Sequence, residues 1–225
     1  MCISFRAPTS EIMEIIFSAP VIDQPEWPKE VWQDYLAPVV LGDGDSRTTR
    51  VGSYGMVPQK RRPPQVKRMS TMNARSETIG EKRSYSKQWR EGKLCLVPCM
   101  HFYEPMWLEN DTVHVRHKIG LADGRPFGVA GLWKEWSNPD GTVDTSFTQL
   151  TMNADDHPFM NQFHRSTEEK RSLIIVPEAE WDAWLGCRNP EEARSFFQLY
   201  PPAFMVSEPA PKAAKKQTDL LVDEG

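Results

Sequence analysis

Apolar, β-branched and aromatic residues cluster in five short runs, 93–103, 112–121, 127–136, 145–152 and 172–176. Asn-Asp, Asp-Gly and Asn-Pro-Asp-Gly sequences lie between them, and these are turn chemistry, so the runs read as strands. Helical patterning is sparser: residues 29–35, residues 77–90, and two segments opening at Pro177 and Pro190. Proline suits a first helical turn, where its missing N–H would have had no intrahelical partner. The expected class is α+β, a largely antiparallel sheet or barrel core with peripheral helices. One domain is expected over residues 1–206. Residues 207–225, rich in Pro, Ala, Lys and acids without an apolar period, read as a disordered tail. RRPPQ at 61–65 reads as an exposed basic loop.

Composition narrows the setting. The 225 residues suffice for one sizeable core. No apolar run reaches the roughly 20 residues that span a bilayer. Arg6, Glu11 and Glu14 interrupt the N-terminal stretch where a secretory signal would be apolar, so a cytoplasmic protein with no membrane association is expected. Four cysteines, unevenly spread, do not make a disulfide scaffold and are expected to be reduced.

The net charge of −4 hides an asymmetry: residues 47–93 hold thirteen Lys and Arg against three Glu, leaving the remainder strongly acidic. Tyr54, Tyr85 and Trp89 are interleaved with these cations. Cations attract phosphates and aromatic faces accept unstacked bases, a combination suited to single-stranded nucleic acid. A solvated basic loop has the same composition, and the two readings stand level at this point.

Several residues carry candidate chemistry. Removal of Met1 would leave Cys2 with an α-amine and a thiol on adjacent carbons. Such an aminothiol condenses with an aldehyde to an imine, which the thiol closes to a thiazolidine; both groups are partly nucleophilic near neutral pH. Cys2 taken alone reads first as an ordinary second residue. Glu104 ends an apolar strand, where burial raises a carboxyl toward the range useful for proton transfer, although a solvated strand end is the plainer alternative. Asn73 and Arg75, two apart, face one side of an extended segment and offer an amide and a phosphate-binding fork. His157 and His164 follow the run ending TMNADD and are candidate proton shuttles. His101, His114 and His117 look structural. Cys95, Cys99 and His101 supply three ligands without a CxxC pair, so no metal and no other cofactor is expected.

The blocks gain meaning in series. Cys2 after Met1, GMVP at 55–58, NARSET at 73–78, CLVPCMHFYEP at 95–105, FGVAGLWKEW at 127–136, and a His followed by an Arg, LIIVP and a WDAWL helix resemble the SOS response-associated peptidase (SRAP) family in order and spacing from residue 1 to about 206. That resemblance implies an abasic-site processing protein, active in the DNA damage response, that binds single-stranded DNA and cross-links to the lesion. In it Cys2 is the nucleophile freed by autoproteolysis, Asn73 holds the opened sugar, and Glu104 aids imine formation and Met1 release. His164 protonates the sugar oxygen, with His157 its competitor. Arg75 contacts phosphate, and Tyr54, Lys60 and Arg83 are further expected DNA contacts. A monomer working on the nucleoid after DNA damage is implied, with lyase-type chemistry when Cys2 is impaired. The chain departs from the family pattern at Ile3 and Ser4 (for Gly-Arg), at Tyr54 and Lys60 (for tryptophans), at Pro105 (for Trp), and in the longer HRSTEEKRS segment after His164. A peptidase or amidohydrolase using Cys2, with the α-amine as base, and a non-catalytic single-strand binder are the alternatives.

Overall fold

The structure, a computed structural model, describes residues 3–65, 69–108 and 111–212. β1 (Ser4–Arg6) leads into α1 (Ser10–Ile15), where the Thr9 hydroxyl accepts from the Ile12 N–H and caps the helix start. β2 (Glu30–Val31) precedes a hairpin of β3 (Leu36–Asp43) and β4 (Ser46–Tyr54), turned through Gly44 in the left-handed region at φ 60°. Then come β5 (Asn73–Arg75), α2 (Ser86–Arg90), β6 (Leu94–Cys99), β7 (His101–Leu108), β8 (Val113–Leu121), β9 (Phe127–Ser137) and β10 (Val143–Asn153). β11 (Arg171–Leu173), β12 (Ile175–Val176), α3 (Trp181–Gly186), α4 (Pro190–Ala193) and β13 (Met205–Pro209) complete the order.

Two sheets form an α+β architecture. One has the order β13-β8-β7-β1-β2. In the other, β10-β4-β3-β6-β9 closes on itself because β9 also pairs with β10, with β5, β11 and β12 at its margins. Alternation along the strands divides the interior. On β6, Cys95, Val97 and Cys99 join a core with Phe5, Tyr54, Phe102, Phe127 and Phe147, while Leu94 and Leu96 join a second core with Phe17, Trp89, Trp181 and Trp184. A strand enclosed on both faces must be apolar throughout, and β6 is buried at every position. Trp184 fixes the helical layer by donating its indole N–H to the Cys95 carbonyl at 2.8 Å.

The structure corrects several expectations. Residues 29–35 are not a helix: Glu30 and Val31 pair with β1, and Asp34 at φ 67° cannot continue a helical turn. Of 77–90 only Ser86–Arg90 is α-helical, with Gly80 inside the turns that sink Ile79 and Tyr85 into the second core. The β3–β4 hairpin, unmarked in the sequence reading, runs into the basic stretch and carries Arg47 and Arg50 on a strand. The boundary expected at 207 falls inside β13, where Ser207 pairs with Ile119 and Pro209 with His117; the edge of β8 captures a segment too polar to signal a strand by itself. Within the RRPPQ segment, Arg61 is only partly exposed, bonded to Asn138 and Asp144. Most of the expected tail lies outside the described residues.

Candidate active site

β7 carries Glu104 on its inward face. Phe102 and Ile119 lie opposite each other in the ladder and both enter the core, so the pair two residues on, Glu104 and His117, faces the same way. Glu104 is buried, and burial pushes its carboxyl up to about 7. At neutral pH it is thus divided between acid and carboxylate, the state a group that both gives and takes protons needs.

His164 reaches it from a different part of the chain. Its N–H donates to the Pro105 carbonyl at 2.9 Å, and it forms an isolated bridge with Met106. Its φ of 66° is left-handed, an unfavourable conformation for a residue with a Cβ, and the Lys170 ammonium donates to its carbonyl at 3.1 Å to hold the turn. The imidazole Nδ1 is 3.5 Å from Glu104 Oε2, with both side chains buried. Burial lowers the His164 pKa to about 4, so near neutral pH the contact is between a neutral imidazole and a half-titrated carboxyl, not an ion pair. The segment after His164 is anchored by Ser166 N–H to Asp111 at 2.9 Å and by Lys170 N–H to Asp155 at 2.7 Å.

His157 has a different job. Its Nδ1 accepts from the N–H groups of Phe159 and Met160 at 3.2 and 3.0 Å, which makes Nε2 the protonated nitrogen, donating to the Tyr200 carbonyl at 2.9 Å. Both ring nitrogens are committed to backbone, and the ring is buried.

Asn73 and Arg75 flank buried Ala74 on β5, so the two do share a face. The Gln149 opposite Asn73 accepts from the Tyr54 hydroxyl at 2.7 Å, and the Tyr85 hydroxyl donates to the Asn73 carbonyl at 3.1 Å. Asn73, Arg75 and Arg83 line a groove of about 760 Å³ together with Arg62, Lys82, Lys87, Lys134 and Trp136. Among the described residues no carboxylate lines it, although Arg75 pairs with Glu169 at 2.6 Å. Lys134 lies 3.6 Å over the Trp136 ring, and burial, with Lys87 nearby, holds its ammonium below the usual lysine range. Lys134 and Trp136 were missed from the sequence, and their i, i+2 spacing on a strand was the available signal.

Two expected DNA contacts differ from expectation. Tyr54 is fully enclosed, stacked with Phe147 and edge-on to Phe5, so its ring cannot receive a base. Its hydroxyl is spent on Gln149. Lys60 is exposed but outside the groove, bonded to Asp144 at 2.7 Å. Glu104 and His164 are brought together, as are Asn73, Arg75 and Arg83; the groove's lining includes neither Glu104 nor His164. Cys2 lies outside the described residues. Among the described residues no His, Cys, Asp and Glu cluster is arranged to hold a metal, and no helix is long and apolar enough to cross a membrane. Cys95 is buried, which pushes its thiol far above the usual range.

Known proteins share this architecture. The family described as SOS response associated peptidase (SRAP) matches residues 7–216. The abasic site processing protein YoqW of Bacillus subtilis is 27% identical over 163 residues, 72% of this chain and 68% of that protein. YobE of the same organism, also named an abasic site processing protein, is 25% identical over 152 residues, 68% and 65% of the two chains. A Bordetella bronchiseptica protein of known crystal structure superposes with a TM-score of 0.83 at 30% identity, covering 94% of this chain and 100% of that one. A Bacteroides thetaiotaomicron structure at 20% identity and TM-score 0.72, covering 92% and 90% of the two chains, shares the fold.

Proposed function

Because the chain belongs to the SOS response-associated peptidase (SRAP) family, we propose that it processes abasic sites in single-stranded DNA by bonding covalently to them through Cys2. The observation that carries this reading is the buried Glu104–His164 pair at the head of β1. Ser4 is paired with Tyr103, so the chain before it runs toward Glu104, and Cys2 is two Cα steps, at most about 7.6 Å, from Ser4. Names of the Bacillus relatives point to the same lesion.

The chemistry proceeds from the aminothiol. Water hydrolyses the Met1–Cys2 peptide bond, with Glu104 as base, and frees the α-amine. An abasic sugar reacts only as its open aldehyde, and His164 relays the proton that frees the ring oxygen. The amine adds to the aldehyde carbon; Glu104 as acid donates the proton with which the hydroxyl leaves as water, giving an iminium. The thiol sulfur then attacks that carbon, its proton passing to the carboxylate, and a thiazolidine results. One water is released and Glu104 ends protonated as it began, once the ring nitrogen is neutral. Closing the ring removes the imine, which would otherwise acidify the neighbouring C–H and permit strand breakage by β-elimination. The groove cations hold the phosphates, Asn73 the opened sugar, and Trp136 stacks a base. No cofactor is required. The protein acts as a monomer in the cytoplasm, on the nucleoid after DNA damage, with residues 1–206 and the added strand β13 as its working domain.

The test incubates purified protein with single-stranded DNA containing one abasic site, beside Cys2→Ala. A heat-stable adduct on a denaturing gel, whose intact mass lacks Met1 and which Cys2→Ala abolishes, is the expected result. No adduct from protein whose mass shows a free Cys2 refutes the cross-linking reaction.

A further inference from the structure

The end of β10 lies between two short strands: Thr151 pairs with Arg75 of β5 on one side and with Leu173 of β11 on the other. Two guanidinium groups and two carboxylates meet across it. Arg171 is buried and donates to Glu77 at 2.8 and 3.0 Å and to Glu169 Oε1 at 2.7 Å. The other oxygen of Glu169 lies 2.6 Å from Arg75 Nη1. The backbone beside Glu169 is fixed: the Lys170 N–H donates to Asp155 at 2.7 Å, and the Ala154 N–H donates to the Lys170 carbonyl at 2.8 Å. Asn153 Nδ2 adds a bond to the Glu169 carboxylate at 3.3 Å. Burial by itself would raise this carboxyl, but the bonds from Arg171 and Asn153 and the two guanidinium charges hold it below the usual range, so it is an anion at neutral pH. The cluster is neutral as a whole, at one end of a groove whose other charged lining residues are all cations.

Resting on the reading that the groove holds single-stranded DNA, we infer that Glu169 is a built-in competitor for the phosphate at Arg75 and so sets how tightly the groove grips an undamaged strand. Arg171 holds one oxygen of Glu169 from the buried side, which keeps the carboxylate in place whether or not Arg75 is on the other. The Arg75 and Glu169 side chains are 47% and 33% exposed, so water and salt screen their pair and phosphate can displace it. Until it does, Arg75 is occupied, and apparent affinity falls by the fraction of molecules in which Arg75 is off the carboxylate. An undamaged strand depends on such phosphate contacts throughout its stay, whereas a covalently bonded lesion no longer does. The contact therefore discriminates against undamaged DNA. Glu169 comes from the HRSTEEKRS segment, where this chain departs from the family pattern.

The experiment follows the anisotropy of a labelled, undamaged single strand over a range of salt concentrations, with wild type, Glu169→Gln, Arg75→Ala and the double variant. Glutamine keeps an oxygen for Arg171, which also retains Glu77, so the fold should hold; thermal unfolding checks this. Glu169→Gln is expected to bind more tightly and to steepen the log–log salt slope by about 0.7, so its advantage over wild type grows about 2.6-fold for a fourfold drop in salt. The gain should vanish when Arg75→Ala is added. In the wild-type background, Arg75→Ala should lower the slope by less than Arg83→Ala does, a comparison that stands even if Glu169→Gln unfolds. Equal slope losses from those two alanine variants overturn the competition. So does a glutamine variant that binds no tighter, one that binds more weakly because Glu169 orients Arg75, or a gain that survives without Arg75. The cross-linking assay on an abasic strand separates the two readings: adducts from wild type with no tightening in Glu169→Gln refute the competition alone. Tightening that depends on Arg75, with no adduct from wild type bearing a free Cys2, retains the competition and refutes the cross-linking chemistry.

Discussion

Glu104→Gln tests the site through stability as well as chemistry. Glutamine keeps the size of the side chain and an acceptor but cannot ionise. In the folded protein Glu104 titrates near 7, against an ordinary value of 4.5, because burial disfavours its charge. The unfolded chain therefore releases this proton first as pH rises. Stability relative to the glutamine variant is full below about pH 4.5 and is lost as pH climbs through 7. At about 1.4 kcal/mol per pH unit, the gap amounts to about 3 kcal/mol by pH 8. For a chain of this size that corresponds to roughly 6–12 °C in Tm. His164 works in the opposite direction, its lowered pKa removing stability as pH falls from about 6.5 toward 4, and both proteins share it. Thermal unfolding of the two at half-unit steps from pH 4.5 to 8 should show wild type losing ground to the variant, while adduct formation by the variant falls about 10²- to 10⁴-fold. Parallel Tm profiles across that window would refute the assignment of a near-neutral carboxyl at Glu104.

Other outcomes follow from particular contacts. His157→Ala should destabilise by about 2–4 kcal/mol in urea titrations, since it strips partners from two backbone N–H groups and a carbonyl, and should leave the adduct rate of the folded fraction unchanged. Arg83→Ala should lower the salt dependence of single-strand affinity by about 0.7 in log–log slope, whereas Lys60→Ala should change it less than half as much because Asp144 already pairs that ammonium. Gly131→Ala would place a Cβ 2.8 Å from the Thr148 carbonyl and 2.9 Å from Cys95 Sγ, so loss of about 2 kcal/mol or more is expected by the same titration. Cys2→Ala should convert lesion-bearing strands to cleaved product more slowly than to adduct in wild type but without protein attached, as an imine left unclosed permits β-elimination; an uncut strand would argue against the imine.

The strands with alternating or β-branched runs were legible because period 2 is local: β9 and most of β10 lie within or close to where the apolar residues put them. What failed were elements whose state depends on a distant partner. Glu30–Val31 has helix-compatible neighbours yet is a strand because β1 lies beside it, and Met205–Pro209 is a strand because β8 offers an edge. Charge composition marked residues 47–93 as basic without sorting them. The fold sent Arg47 to Asp182, Lys60 and Arg61 to Asp144, and Arg62, Arg75 and Arg83 to the groove.

By itself the sequence determined the strand-rich class, the family blocks, the cysteine at position 2 and the residue types able to move protons and hold phosphates. These follow from side-chain chemistry and short-range periodicity. Tertiary structure alone decided that Glu104 is buried and meets His164, 60 positions further along the chain, that His157 is spent on backbone, and that Tyr54 faces the core instead of solvent. Burial and long-range pairing set those properties, because a carboxyl's pKa and an imidazole's tautomer depend on which atoms surround them, and folding is what chooses the neighbours.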